Sequence, residues 1–587
     1  MFLKPEFASL LQNNDAPSES TIRELTESLK APLNELQEVE AEIQRLDELM
    51  ETMKMKRQSI QKRINDHTVI LSPARRLPPD VLHEIFFHCL PTHHNPIMKS
   101  SESPLLLTRI CSSWRAIALS SPRIWSKVYI PLPGDPSISS GYGTIRDETT
   151  LSIRRQRFAG ILRSRCDAVR RWLARSGACP LSLSVTYPGN YSGIQNSKDD
   201  ELIHEMFDIL LSFANRWRDV DLSMPEDIYN KLQDNIDPTT LSSLKSLKLT
   251  LYQISRWNNT QSIPIRLLAA PGLRKINISA IQTLHMTGNL IQPIWNHITH
   301  ITFASSTNDR HLLVLLRQCP NLVFGKFIVN SSPWPDQIIV DQEAVILPHL
   351  ESFAINGSGA YEIMTIIFKA IKAPGLTRLS YQWFNQHTPG DDSTIPLPTP
   401  VIPLLDNSTL ISYLSLDGGL SSQDTQECLQ RGERVTHVVF GRPSFANTSN
   451  HLFPFNMDPD VMRRDNFDLK ILSIGSEAVA LLPRLESLEA YNLSSLTDED
   501  LLDVITSRIK ASQRGETAAL NSVKISFQRQ RQKDIAEEVS RLAKEAGIEV
   551  KLDLDYRPQG SRFFDPLSPS FGFTSHDDIW SSDSEMI

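Results

Sequence analysis

Glycine, aromatic residues and cysteine are all scarce in this chain, and no long apolar run occurs in it. Its 587 residues hold 23 Gly against 37 Pro, with 7% aromatics. The glycines that exist do not form GxxxxGK[ST], GxGxxG after a strand-like run, or GxSxG, so the phosphate-cradling loops and the nucleophile elbow are missing. No stretch approaches the ~18 consecutive apolar residues of a membrane-spanning helix, and Met1–Leu10 lacks the apolar core of a signal peptide. A cytoplasmic and/or nuclear protein with no membrane partner is therefore expected. The six cysteines, Cys89, Cys111, Cys166, Cys179, Cys319 and Cys428, lie 22, 55, 13, 140 and 109 residues apart. That spacing matches neither a disulfide scaffold nor paired zinc ligands, and predicts reduced thiols in or near cores.

A strong positive balance is also missing. Lys and Arg number 60 against 68 Asp and Glu, a net charge of −8, which argues against a binder living on phosphate contacts, so no nucleic-acid partner is expected. His83-Glu84-Ile85-Phe86-Phe87-His88 comes near HExxH, but its histidines are five apart and diverge around a helix. Cys89, His93 and His94 add no second ligand pair at a sensible spacing. No carboxylate pair stands in a recognisable acid–base arrangement, so neither metal, cofactor nor catalytic residue is assigned and no enzyme is expected. What remains is 40% apolar and 22% charged residues, ample for a core, and a length that by itself suggests about four domains.

From Leu36 onward, apolar residues recur at steps of three and four: Val39, Ile43, Leu46, Met50, Met53, Ile60 and Ile64, with Arg57 the interruption. This is a coiled-coil seam over four heptads. Pro32 suits the first turn of its helix, and Asp66, His67 and Ser72-Pro73 mark the end, giving a helix over 32–68 roughly 50 Å long after an N-terminal segment 1–31. Glu40, Glu42 and Asp47 flank the seam early and Lys54, Lys56 and Arg63 late. An in-register parallel pair would set Glu42 against Asp47, whereas an antiparallel pair matches acid to base. The expectation is antiparallel self-association or a different partner helix; a helix folded back on its own domain is the competing reading.

Past Pro73, Leu82, Ile85, Phe86, Cys89 and Leu90 form one apolar stripe at helical spacing. A polar stretch, Pro91–Ser103, follows. Ser103-Pro104 then reads as the start of a second helix carrying Leu107, Ile110, Cys111, Trp114 and Ile117 on one face, ending near Ser121-Pro122 before Ile124-Trp125. The Leu77-Pro78 opening, the ICSSWR segment from Ile110 to Arg115 and the closing Ile124-Trp125 resemble an F-box over 75–127, with an unusually long link at 91–103. The resemblance implies a small all-α module docking a Skp-type adaptor and, through it, a cullin–RING ubiquitin ligase. It implies adaptor contact by Leu77 and Pro78, with Leu82, Ile85, Leu107, Ile110, Cys111 and Trp114 in that contact or in the module's core. Independently, about 50 residues bury too little surface alone, so such apolar faces call for a partner.

After a linker at 128–150 comes an Arg-rich helix, Ile153–Arg175, with eight arginines and a core face of Ile161, Leu162, Val169, Trp172 and Leu173; Pro180–Val185 then alternates as a strand. From there the phrase apolar-x-x-apolar-x-apolar returns, starting at Trp217, Leu244, Leu273, Ile298, Leu322, Leu350, Leu376, Ile411, Val435, Leu485 and Leu520. A Pro two residues ahead of the leading position introduces several copies, as in Ala270-Pro271-Gly272-Leu273 and Ala373-Pro374-Gly375-Leu376. Helical stretches such as His311–Gln318 and Tyr361–Lys372 separate them. Most spacings lie between 24 and 29 residues, and the region 151–556 resembles an irregular leucine-rich repeat: an α/β solenoid with strands on its concave face. Lys245, Lys248, Arg274 and Lys275 early, and Glu351, Glu486 and Glu489 late, would face that concavity and a target protein. Two excursions, Gln386–Pro403 and Gly441–Asn466, interrupt the array, and an acidic tail over 557–587 reads as disordered.

The expected fold class is thus α/β: an N-terminal coiled-coil helix, a small all-α F-box module and a leucine-rich-repeat-like solenoid. The function that the resemblance implies is a non-catalytic substrate receptor, with ubiquitin transfer left to partner enzymes. The alternative is a coiled-coil interaction scaffold with a degenerate F-box that joins no ligase.

Overall fold

Ser18 accepts a hydrogen bond from the Thr21 amide at 3.3 Å, and from this cap a 52-residue helix, α1, runs from Glu19 to Ile70. It belongs to a computed structural model that describes residues 11, 16–133, 147–187, 200–252, 265–280, 293–307, 309–330, 343–358, 361–384, 399–417, 420, 422–441, 468–475 and 480–556. The chain divides into two compact units, residues 1–84 and 85–587. In the first, α1 starts thirteen residues before Pro32, which lies inside the helix rather than in its first turn. The missed signal is the Ser18 cap followed by Glu19 in the first turn. The seam continues backwards in phase through Leu29, Leu25 and Ile22. A helix folded back on its own domain would bury that stripe; α1 buries no residue at all. Exposed pairs at helical spacing, such as Glu42 with Arg45 at 2.8 Å and Glu51 with Lys54 at 2.7 Å, support the helix locally.

Helix α2 (Pro79–His88) carries the chain into the second unit, where its buried stripe is Phe86 and, beyond the helix, Leu90. The second expected helix is shorter than the pattern predicted. Leu107–Arg109 form one 3-10 turn, Cys111 takes an extended conformation, and α3 spans only Ser112–Leu119. Cys111 caps α3, its Sγ accepting from the Trp114 amide at 3.4 Å, so the break falls inside the ICSSWR segment. Ser103 therefore caps no long helix; it and Pro104 are buried. The turn Pro122–Trp125 buries Ile124 and Trp125, and the Trp125 indole donates to the Ala118 carbonyl at 2.7 Å.

The first residues of the expected linker form strand β1 (Lys127–Pro131). Helix α4 begins at Glu148, capped by Asp147, and runs to Arg175. It buries Leu151 and Phe158 as well as the predicted Leu162, Val169, Trp172 and Leu173, while Ile161 is half-buried. Trp172 meets Trp125 edge-on at 4.8 Å and donates to the Lys127 carbonyl, tying the short helical segment to the sheet. The long link at 91–103 does the same at the sheet's edge. Its Pro96 carbonyl accepts from the Tyr129 amide at 2.8 Å, and Asn95 exchanges hydrogen bonds with Ser182 and Ser184.

The strands that follow are β2 (Leu181–Thr186), β3 (Trp217–Pro225), β4 (Ser246–Tyr252), β5 (Lys275–Ala280), β6 (His300–Thr307), β7 (Phe324–Asn330), β8 (Val345–Ile346), β9 (Ser352–Ser358), β10 (Ile371–Lys372), β11 (Arg378–Phe384), β12 (Tyr413–Asp417), β13 (His437–Phe440), β14 (Ser487–Leu493), β15 (Ser522–Phe527) and β16 (Lys551–Tyr556). Fourteen pair in sequence order into one parallel sheet, with β8 and β10 paired apart. Parallel neighbours need crossovers, and these include α5 (Asp200–Leu211), α6 (Glu226–Gln233), α7 (Asp309–Arg317), α8 (Tyr361–Ala370), α9 (Ile402–Asn407), α10 (Ser422–Gln430), α11 (Asp498–Gln513) and α12 (Ala536–Ala546).

All eleven leading residues of the repeated phrase, from Trp217 to Leu520, are buried, and each stands just ahead of or at the start of a strand. The copy at Leu322 departs from the phrase at Gly325, where a Cβ would stand 2.9 Å from the Phe327 ring; Phe327 and Phe353 fill the space its side chain would occupy. Gly272 has a backbone reason, since a Cβ there would come within 2.4 Å of the Ser242 carbonyl oxygen. Of the excursions expected at Gln386–Pro403 and Gly441–Asn466, residues 386–398 and 442–466 lie outside the described residues, as does the tail at 557–587; the end of the first is no insert, since Thr399 and Val401 are buried and Ile402 opens α9.

Candidate functional site

Two surfaces hold the residues that the sequence singles out. In the short helical segment, the structure divides the eight adaptor candidates. Leu82 and Leu107 are buried; Leu77, Ile85 and Trp114 are half-buried; Pro78, Ile110 and Cys111 are exposed. Trp114 packs against Phe86 with tilted rings 5.0 Å apart, and Arg123 lies over the Phe87 ring at 3.6 Å, so these side chains hold the segment together. Ile110, at 53% exposure, is the most exposed large apolar residue between Val81 and Leu119, and Leu106 and Leu119 are also exposed. The seam of α1 has the same character along its whole length.

The second surface is the polar face of the sheet. A parallel ladder aligns equivalent positions of successive repeats, so the x positions of the phrase become continuous rows. The first x forms a row along the strand starts. Lys245 accepts from both Arg274 and Lys275, Glu351 from both Thr377 and Arg378, and Glu486 from both Asn521 and Ser522, always through the main-chain carbonyl. Hydroxyls in this row reinforce the ladder: Thr299 donates to the Arg274 carbonyl at 3.2 Å, Thr377 to Glu351 at 3.0 Å, and Ser412 and Thr436 each to the preceding member at 3.3 Å. Lys245, Arg274, Glu351 and Glu486 thus share one row in basic-to-acidic order, all exposed. Lys275 belongs to the second row, where it pairs in register with His300. Lys248 and Glu489 belong to the third.

The simple polarity expected from sequence is diluted across the rows. Lys248 sits 3.6 Å from Asp221, and Arg218 binds Asp219 at 2.8 Å, so early cations stand beside acids. Burial pushes the Asp221 carboxyl up, with Lys248 opposing it. Late in the sheet, Glu489 is no isolated acid either. The His437 Nε2 lies 3.2 Å from its Oε1, and the Tyr491 hydroxyl donates to its Oε2 at 2.5 Å. The His437 contact holds the Glu489 carboxyl below the usual range, against the effect of burial. Tyr413 stacks on His437 at 4.9 Å, Arg378 lies 4.4 Å over Tyr413, and Lys524 approaches Tyr491 at 5.8 Å. Five adjacent strands, β11 to β15, therefore build one patch of aromatic rings flanked by two cations around a committed carboxylate.

Sequence reasoning found Glu489 and missed Arg378, Tyr413, His437, Tyr491 and Lys524. The signal was available, since all but Tyr491 occupy x positions of the repeated phrase and only the ladder register was lacking. All six thiols are free. Cys166, Cys319 and Cys428 are buried as expected, and burial pushes the Cys319 thiol up to about 12, whereas Cys89 and Cys111 are exposed rather than in a core. Among the described residues, no helix is long and apolar enough to cross a membrane. Neither a search of protein-family models nor one of curated proteins finds a match to this chain.

Proposed function

We propose that the chain is an F-box-type substrate receptor, in which residues 75–127 dock a Skp-type adaptor and the polar face of the sheet holds a target protein. The observation that carries the reading is the apolar exposure of Ile110 inside the ICSSWR segment, beside the exposed Leu106 and Leu119. An interior packed through Phe86, Trp114 and Trp125 leaves those side chains free for a partner. We read the sheet with its crossover helices as an irregular leucine-rich-repeat solenoid, supported by eleven buried phrase leaders and strands that follow chain order. The β11–β15 patch is then the target site. Its rings offer area at low entropic cost, and Arg378 and Lys524 favour a target segment carrying acidic side chains. Holding a target lysine near a ubiquitin-charged partner enzyme is the whole mechanistic contribution.

The test is binding of the purified chain to a purified Skp-type adaptor. Leu77→Ala/Pro78→Ala probes the opening contact, and Ile110→Asp probes an exposed position whose change leaves the core intact. Each variant is expected to lose adaptor while its thermal unfolding stays that of the parent. An adaptor that never binds, or binds all three proteins equally, overturns the ligase reading in favour of a coiled-coil scaffold.

A further inference from the structure

We propose that α1 is a dimerisation element, pairing antiparallel with α1 of a second copy about a centre near residue 48. The helix leaves Leu36, Ile43 and Met53 at 52%, 54% and 55% exposure, and the rest of its seam similarly uncovered. Alternating steps of three and four put Leu36, Ile43 and Met50 at one core position of the heptad and Val39, Leu46 and Met53 at the other. The residues flanking this core decide the partner and its direction. On one side lie Glu35, Glu42, Lys56 and Arg63, and on the other Glu40, Asp47 and Lys54.

A parallel, in-register pair would set Glu35 against Glu40 and Glu42 against Asp47, each twice, acid on acid. An antiparallel pair sets each flank against its own copy. With Leu46 layered on Met50, Ile43 on Met53 and Leu36 on Ile60, Glu35 faces Arg63, Glu42 faces Lys56 and Glu40 faces Lys54, each twice by symmetry. Asp47 at the dyad is the single like pair. Arg57 layers on Val39, where its long stem can carry the guanidinium out to the partner's Glu40. Pro32 falls in the second layer from either end, opposite Ile64, away from the centre. The intrahelical pairs of Glu42 and Lys54 are exposed and worth little, so they do not hold these side chains back. The overlap of residues 29–67 spans roughly 58 Å and leaves the two Ile70 ends about 65 Å apart.

The experiment uses the full chain with Cys89→Ser and Cys111→Ser, serine being a good cap at 111. Light scattering is expected to give a two-chain mass. Under mild oxidation, a mixture of Leu36→Cys and Ile60→Cys chains should form the mixed disulfide, and neither variant alone should form its own. Glu40→Lys/Glu42→Lys should weaken self-association about tenfold, with recovery on mixing with Lys54→Glu/Lys56→Glu chains. A Leu36→Cys homodisulfide would overturn the direction. A single-chain mass at all concentrations would overturn the second copy as occupant and leave the seam to a helix of another protein. Adaptor binding is read separately, so failure here and failure of the receptor reading are distinguishable.

Discussion

The long N-terminal helix and the large sheet both carry repeated apolar positions, yet their fates are opposite. In α1 the residues from Ile22 to Ile64 repeat by heptads and none is buried. In the sheet the phrase leaders recur at irregular intervals of 24 to 50 residues and every one is buried. The difference is geometric. A single helix has nothing of its own to cover a stripe, so its periodicity is a statement about a partner. A strand followed by a crossover brings its own cover and lays its apolar side on the previous repeat, so irregular spacing is absorbed in the loops.

The largest expected break in this contrast comes from the core. Leu376→Ala, at a fully buried leader, should cost about 4 kcal/mol of sheet stability by denaturant unfolding. Next comes Arg508, buried in α11, whose guanidinium donates to the carbonyls of Leu472, Leu481 and Leu482 at 3.0, 2.7 and 3.3 Å. Burial lowers its pKa to about 10. It holds the turn where Leu482 takes a φ of 51°, and Arg508→Met should cost about 3 kcal/mol by leaving those carbonyls unpaired.

A smaller, pH-dependent effect belongs to Asp498. Burial alone would raise its carboxyl, but Arg529, the Lys533 and Gln532 amides and Tyr556 hold it down to about 2, against 3.8 for a free carboxyl. A depressed pKa gives stability that is complete above pH 3.8 and lost as pH falls through 2. About 2 kcal/mol should disappear over that range, and Asp498→Asn should show no such loss when both proteins are unfolded at pH 5 and pH 2. The smallest effect sharpens the contrast from the other side. Leu36→Ala should leave the sheet's unfolding midpoint within about 0.5 kcal/mol of the parent, because nothing among the described residues buries it. A shift comparable to that of Leu376→Ala would show α1 covered by the chain itself.

Much of this was legible in the residues. The apolar-x-x-apolar-x-apolar phrase located eleven strands, because side-chain alternation and burial are local consequences of one sequence pattern. The α1 seam was legible for the same reason. The Ser18 start was written there too, in a cap followed by Glu19, though Pro32 offers a competing start. The break at Cys111 was not, since a cap competes with helical continuation by small local energies that a stripe of Leu107, Ile110 and Cys111 cannot weigh. Glu489 was visible as an exposed acid, whereas its commitment to His437 and Tyr491 depended on strands 50 residues apart meeting in register.

Sequence alone determined where this chain must be apolar, where its strands begin, and that its first helix is charged acid to base along its length. Only the tertiary structure decided which x positions stand side by side, because ladder register is set by neighbours distant in the chain. It also decided that the link at 91–103 lines the sheet's edge and that a buried Arg508 closes three orphan carbonyls. Both are matters of backbone polar groups finding partners, and the identity of a carbonyl's partner is written nowhere in the residue that carries it.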